Sequence, residues 1–164
     1  MTRRMKFVAL GIAFAAAAGF GWYWYTDGYV TAPFLGWSRY EMSGSSMEPT
    51  MADGESFYCE PLSRQEVTDL RPATIVVVDI DGRLIVKRLV AQSGDVVEGR
   101  GGQLLLNGDP LLTDVTDVNE LGDFGPVEVP ADQVFVLGDN FVASADSRST
   151  GPVSVVDVEC RVRN

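Results

Sequence analysis

Thr74-Ile75-Val76-Val77-Val78-Asp79-Ile80-Asp81-Gly82-Arg83-Leu84-Ile85-Val86-Lys87-Arg88-Leu89-Val90 reads as two β-rich runs joined by Asp81-Gly82. β-Branched side chains lose rotamer freedom in a helix and pack well on a pleated surface. Asp-Gly tolerates the left-handed conformations of a two-residue hairpin. The pattern predicts strands over Thr74–Ile80 and Leu84–Gln92. Working outward, Arg39–Met42, Ser56–Cys59, Val96–Glu98, Gln103–Leu106, Gln133–Leu137 and Val153–Val162 have the same character, bounded by Gly, Asp, Asn and Pro. Helical periodicity is nearly absent after residue 26. The exception is Ser63-Arg64-Gln65-Glu66, a capping box that predicts a short helical turn to about Leu70, before Pro72. The expected fold is all-β, mainly antiparallel, in coiled barrel-like sheets.

The second run carries a lysine in its middle. The 164-residue chain has 13 basic residues, of which only Lys6 and Lys87 are lysine, and it has no histidine. Without imidazole a Ser-His-Asp triad is excluded. Two cysteines and no histidine exclude a structural zinc site, and no metal or other cofactor is expected. The net charge of −10 includes three basic residues within the first six positions, so the body is more acidic still. Such a body repels phosphate backbones, and no nucleic-acid partner is expected. In a strand Lys87 shares a face with Ile85 and Leu89. Among aliphatic neighbours an ammonium loses hydration and its pKa falls, which makes a neutral, proton-accepting amine available. The alternative is a packed stem whose head reaches water.

Phe7 to Tyr25 is a run of 19 residues without a charge, closing on Trp22-Tyr23-Trp24-Tyr25. That length suits one transmembrane helix, and the aromatic group suits the membrane interface. Arg3, Arg4 and Lys6 precede the run, and the next basic residue is Arg39. The positive-inside rule then makes residues 1–26 a cytoplasmic N-terminus plus anchor in the lipid bilayer, and residues 27–164 an extracytoplasmic domain. Ala13-Phe14-Ala15 and Ala15-Ala16-Ala17 offer a rival reading as cleavage patterns of a removed signal peptide. Cys59 and Cys160 suit an oxidising compartment and form either a disulfide or two separate buried thiols. Asp117 to Glu128 partly echoes a calcium loop. Leu121 occupies a ligand position there, so a solvated acidic loop is preferred.

Three further segments carry chemistry together. Ser46-Met47-Glu48-Pro49-Thr50 is followed by Asp53-Gly54-Glu55. Lys87-Arg88-Leu89-Val90 is followed by Gly94-Asp95. Gly138-Asp139-Asn140 is followed by Ser144-Ala145-Asp146-Ser147-Arg148 and Gly151. In this order, behind an apolar N-terminal run, they resemble the boxes of the bacterial type I signal (leader) peptidases, membrane-bound serine proteases with a Ser/Lys dyad. The resemblance runs from the N-terminal run to about Val153. It implies Ser46 as nucleophile, Lys87 as general base, and Ser144 as a hydrogen-bonding partner that orients the lysine. It implies Asp146 and Arg148 as a structural pair beside the site and Met47 as a packing residue next to the serine. Gly44 stands where many Gram-negative members carry a serine that assists the oxyanion, which leaves the second oxyanion donor open. Phe141 stands where many members have arginine.

The chemistry is coherent by itself. A serine hydroxyl needs an adjacent base, and Lys87 is the body's one lysine. Attack on a peptide carbonyl yields an acyl-enzyme, and the backbone N–H of Ser46 is a suitable oxyanion donor. Residues Met42–Ser46 and Ile85–Lys87 are expected to flank an extended substrate, with Met42, Ile85 and Val86 at its pockets. The resemblance implies that these pockets take small side chains and that the substrates are preproteins bearing signal peptides. A specialised pilin-maturation peptidase of the same group and a catalytically inactive membrane module are the alternatives.

Overall fold

A computed structural model of the protein describes residues 36–111 and 121–163. The expected transmembrane run, Phe7–Tyr25, and the boundary at residue 26 lie outside the described residues, as does the acidic loop up to residue 120. Among the described residues no helix is long and apolar enough to cross a membrane. Nearly all of them belong to one compact unit, Arg39–Asn164.

The unit is built from strands, as the β-branched runs require. In chain order they are β1 (Ser38–Glu41), β2 (Ser56–Pro61), β3 (Ile75–Ile80), β4 (Arg83–Gln92), β5 (Val96–Arg100), β6 (Gln103–Leu106), β7 (Asp109–Pro110), β8 (Phe124–Glu128), β9 (Gln133–Leu137), β10 (Val153–Ser154) and β11 (Val158–Arg163). Seven form one sheet in the order β1-β2-β11-β3-β4-β9-β10, and four form a second in the order β7-β6-β5-β8. From β2 to β10 the first sheet is antiparallel, and so is the whole second sheet. The Asp81-Gly82 hairpin forms as read: φ is +53° and +78° at its two residues, and β3 pairs with β4 from Ile80↔Arg83 to Ile75↔Arg88.

Among the described residues the expected barrel-like sheets are two, and the first runs from an edge at β1 to an edge at β10. The chain leaves that sheet at Gln92–Asp95. There the Asp95 carboxylate accepts bonds from the Gln92 amide (2.9 Å) and from Asn107 Nδ2 (2.8 Å), turning β5 into a separate sheet. The run Val153–Val162 is also not one strand. Ser154 caps a 3₁₀ turn, Val155–Asp157, and its side chain accepts from the Val156 amide. β10 therefore pairs with β9, while β11 inserts between β2 and β3. The capping box does form. Ser63 and Glu66 exchange side-chain and backbone bonds at the start of helix α1 (Arg64–Thr68).

The two sheets share apolar packing. Val90, Ala91, Phe135 and Leu137 of the first meet Val97 and Leu104 of the second, and Phe124 stacks on Phe135 at 5.9 Å. A separate cluster of Met42, Met47, Met51, Phe57, Val77 and Val86 also contains Cys59 and Cys160. Those cysteines are joined in a disulfide across β2 and β11, 101 residues apart in sequence with Cα atoms 5.5 Å apart. On the chain-entropy model a bridge closing so long a loop contributes up to ~4.7 kcal/mol.

Candidate active site

The loop after β1 is stitched down on both sides. Met42 N donates to Glu55 O (2.8 Å), and Gly54 N donates back to Met42 O (2.9 Å). Gly44 has φ of +89°, a conformation glycine adopts without strain, and its amide donates to Asp53 Oδ1 at 2.7 Å. Met47 and Met51 are fully buried and anchor the following turn, closed by Met51 N to Met47 O at 2.9 Å. Ser46 sits between these anchors, half-buried.

A second segment clamps Ser46 from behind. The Asn140 amide donates to Ser46 O at 3.0 Å. A Cβ at Gly138 would overlap the Ser144 hydroxyl and lie 2.5 Å from Ser46 O, so only glycine permits this approach. Gly138 N in turn donates to Asp146 Oδ2 (3.0 Å). Asp146 caps the short helix α2 (Ser147–Thr150) and pairs with Arg148, whose Nε lies 2.8 Å from Oδ1. The Arg148 guanidinium also lies over the Phe141 ring (5.4 Å) and donates to Phe141 O (2.8 Å). An aromatic residue after Gly-Asp-Asn thus gives the pair a face to rest on.

Lys87 reaches the same place from β4. It is 3% exposed and pairs with Val76 across the sheet. Its Nζ donates to Ser46 Oγ at 2.8 Å and to Val86 O at 2.9 Å. The head therefore does not reach open water. Burial pushes the Lys87 amine below the ordinary lysine range, and the Asp146 and Asp139 carboxylates partly oppose that. Burial disfavours the charged form of Asp146, yet bonds from Arg148 and from the Gly138 amide hold its carboxyl below the usual value.

Met42, Ile85 and Val86 border one cavity of about 130 Å³ together with Ser43, Ser46 and Lys87. Met47 packs under the serine, and Gly44 sets the backbone before it. Ser144 is different. Its Oγ is buried and has no partner within hydrogen-bonding geometry, so the bond to Lys87 implied by the resemblance is not formed here. The lysine spends its bonds on Ser46 and Val86 instead. One interaction had no counterpart in the sequence reading. Arg88 Nε and Nη2 bind the two oxygens of Asp139 at 2.8 and 2.5 Å, both side chains buried, and Arg88 Nη1 donates to Ala73 O at 2.7 Å. This fork ties the strand bearing Lys87 to the segment that clamps Ser46. Both residues stand inside quoted motifs, which was the available signal.

A sequence match to the family described as signal peptidase, peptidase S26, covers residues 9–164. The chain belongs to that family. Signal peptidase I of Bacillus licheniformis is 37% identical over 122 residues, which span 67% of this chain and 65% of that protein. Signal peptidase I T of Bacillus subtilis is 35% identical, with 67% and 63% covered. The chain thus spans a little under two thirds of the length of these relatives. A crystal structure of a signal peptidase I from Enterococcus faecalis superposes with a TM-score of 0.52 at 29% identity. It covers 57% of this chain and 97% of that one. Against this signal peptidase background, the cavity beside Ser46 and Lys87 is the candidate active site.

Proposed function

We propose that this chain is a membrane-anchored serine endopeptidase that removes N-terminal signal peptides from exported proteins. The observation that carries the reading is the 2.8 Å approach of Lys87 Nζ to Ser46 Oγ, with the amine buried and its pKa lowered. A neutral amine has two N–H bonds and one lone pair. Val86 O takes one N–H, which leaves the lone pair free to face the serine hydroxyl.

The Ser46 hydroxyl proton passes to Lys87 Nζ as Oγ bonds to the carbonyl carbon of the substrate. The electron pair of the C=O moves to its oxygen, beside the Ser46 N–H. The ammonium then protonates the leaving nitrogen, the C–N bond breaks, and an acyl-enzyme remains. Neutral Lys87 next takes a proton from water, whose oxygen attacks the ester. The proton returns to Ser46 Oγ as the acid departs. The substrate enters as an extended strand between Met42–Ser46 and Ile85–Lys87, gaining main-chain bonds on both sides. The cavity of about 130 Å³, walled by Met42, Phe57, Val77 and Val86, suits small side chains such as alanine.

The anchor in this reading is Phe7–Tyr25. Residues 1–26 form the cytoplasmic N-terminus with the transmembrane helix, and residues 27–164 lie on the extracytoplasmic side of the bacterial inner membrane. The disulfide between Cys59 and Cys160 supports that side, since such bridges persist in oxidising compartments. The test is incubation of the purified full chain with a preprotein, beside Ser46→Ala and Lys87→Ala. Cleavage after Ala-x-Ala by the unaltered chain alone supports the reading. Equal cutting of substrates with a bulky residue before the scissile bond sinks it.

A further inference from the structure

Apart from Lys87, the cavity beside the serine is bordered among the described residues by one charged residue, Glu41. Glu41 is exposed, and among the described residues its carboxylate makes no hydrogen bond or ion pair of its own. It also borders the adjoining hollow lined by Arg39, Tyr40 and Ser56. Its sequence neighbours Tyr40 and Met42 face the other way, while Arg39 shares its face and donates to Ser56 Oγ at 2.8 Å. Tyr40 stacks on Phe57 with centroids 6.0 Å apart, and Met42 is 4% exposed in the core beneath the cavity. Strand alternation then turns the Glu41 side chain to the face opposite the apolar wall.

We infer that Glu41 is a specificity-determining residue that favours a basic side chain at the middle position of the Ala-x-Ala substrate segment. The inference rests on the peptidase reading and adds the charge of the preferred substrate to it. An extended peptide lying along β1 sends its first and third side chains before the cut into the apolar wall. The side chain between them points to the opposite face, where Glu41 stands. Opposite charges at neighbouring strand positions attract, and like charges repel. At an exposed position the effect is modest, roughly two- to fivefold in rate for each charge change, and salt screens it.

The experiment uses the full chain in detergent and three quenched peptides carrying Ala-Lys-Ala, Ala-Gln-Ala or Ala-Glu-Ala before the cut. The readout is the ratio of kcat/KM for the Lys and Glu peptides within each form of the protein, so lower overall activity of a variant does not disturb it. The unaltered chain should prefer lysine, by roughly four- to twenty-five-fold over glutamate at low salt, with the ratio shrinking at high salt. Glu41→Gln should lower the ratio several-fold, and Glu41→Lys should lower it further and invert it. The same ratio in all three forms overturns the role of Glu41 while leaving the peptidase reading intact. If none of the peptides is cut by any form, the peptidase reading itself fails, and this inference with it.

Discussion

Lys87 Nζ lies 2.8 Å from Ser46 Oγ although the two residues are 41 positions apart, one in the middle of a strand and one in a loop. β4 supplies a rigid platform for the amine. The Asn140 amide and the buried Met47 hold the serine against it.

Exchange of the amine for a guanidinium should therefore end catalysis without unfolding the domain. A guanidinium carries no lone pair that accepts a proton at any accessible pH. Lys87→Arg, Lys87→Ala and Ser46→Ala are each expected to lose on the order of 10²–10⁴-fold or more in kcat/KM. The double variant should be no worse than either single one, because the two residues act as a unit. Preprotein cleavage and circular dichroism read the two halves of this statement. Substantial turnover by Lys87→Arg would remove the lysine as the base.

The pH dependence follows from the burial of the amine. Only the neutral form accepts the serine proton, so kcat/KM should rise with pH through the lowered pKa of Lys87. The same shift bears on stability. The unfolded chain binds a proton at Lys87 more readily than the folded one, so folding is disfavoured increasingly as pH falls from the unfolded to the folded lysine pKa. Lys87→Met should accordingly gain in Tm over the unaltered chain at pH 7, and the gain should shrink toward pH 11. A gain that grows with pH contradicts the assigned sign.

Ser144 invites a different comparison. A buried hydroxyl without a partner costs about 1–3 kcal/mol, so the resting fold gains nothing from it. Ser144→Ala should leave Tm unchanged or raise it by a few degrees. If the hydroxyl meets the lysine during turnover, as in the resemblance, kcat should fall in the same variant and the pH limb should move. A variant with lower Tm and unchanged kcat would assign Ser144 to the fold alone.

The disulfide makes a quantitative statement. Reduction, or Cys59→Ala with Cys160→Ala, should lower the unfolding free energy by as much as ~4–5 kcal/mol, for a loop closed between residues 101 apart. The bridge sits in the cluster that includes Met42, Met47, Phe57 and Val86, so the drop should come with weaker substrate binding. Denaturant titration with and without a dithiol measures it. Coincident curves would mean that the bridge constrains nothing that the strands do not already hold.

Much of this was legible in the sequence because local rules sufficed. The Asp81-Gly82 turn, the Ser63–Glu66 capping box and the apolar runs each act over a few residues. The same kind of rule had an unused instance at Asn107-Gly108, where φ of +55° and +87° turns β6 into β7. β8 escaped because Gly125 and Pro126 interrupt its pattern. Lys87 stood out because the body has no other lysine and no histidine. The Arg88–Asp139 fork was signalled only by both residues standing inside the quoted motifs, since nothing local pairs two positions 51 apart. The division into two sheets escaped for a similar reason. It depends on Asp95 meeting Asn107, a tertiary contact between two ordinary turn residues.

β11 lies inside the first sheet, between β2 and β3, although it follows every other strand of the described residues. A ribosome delivers β2 and β3 long before it delivers β11. Until Val158–Arg163 emerges, neither β2 nor β3 has the partner that fills the gap between them. The nascent domain thus waits with two open edges, and loop closure over this long a separation is slow. Closure of the wall that Phe57 and Val77 give the cavity beside Ser46 is therefore expected to wait for β11. A ribosome stalled before Val158 would hold a chain with every quoted motif in place and that wall unfinished.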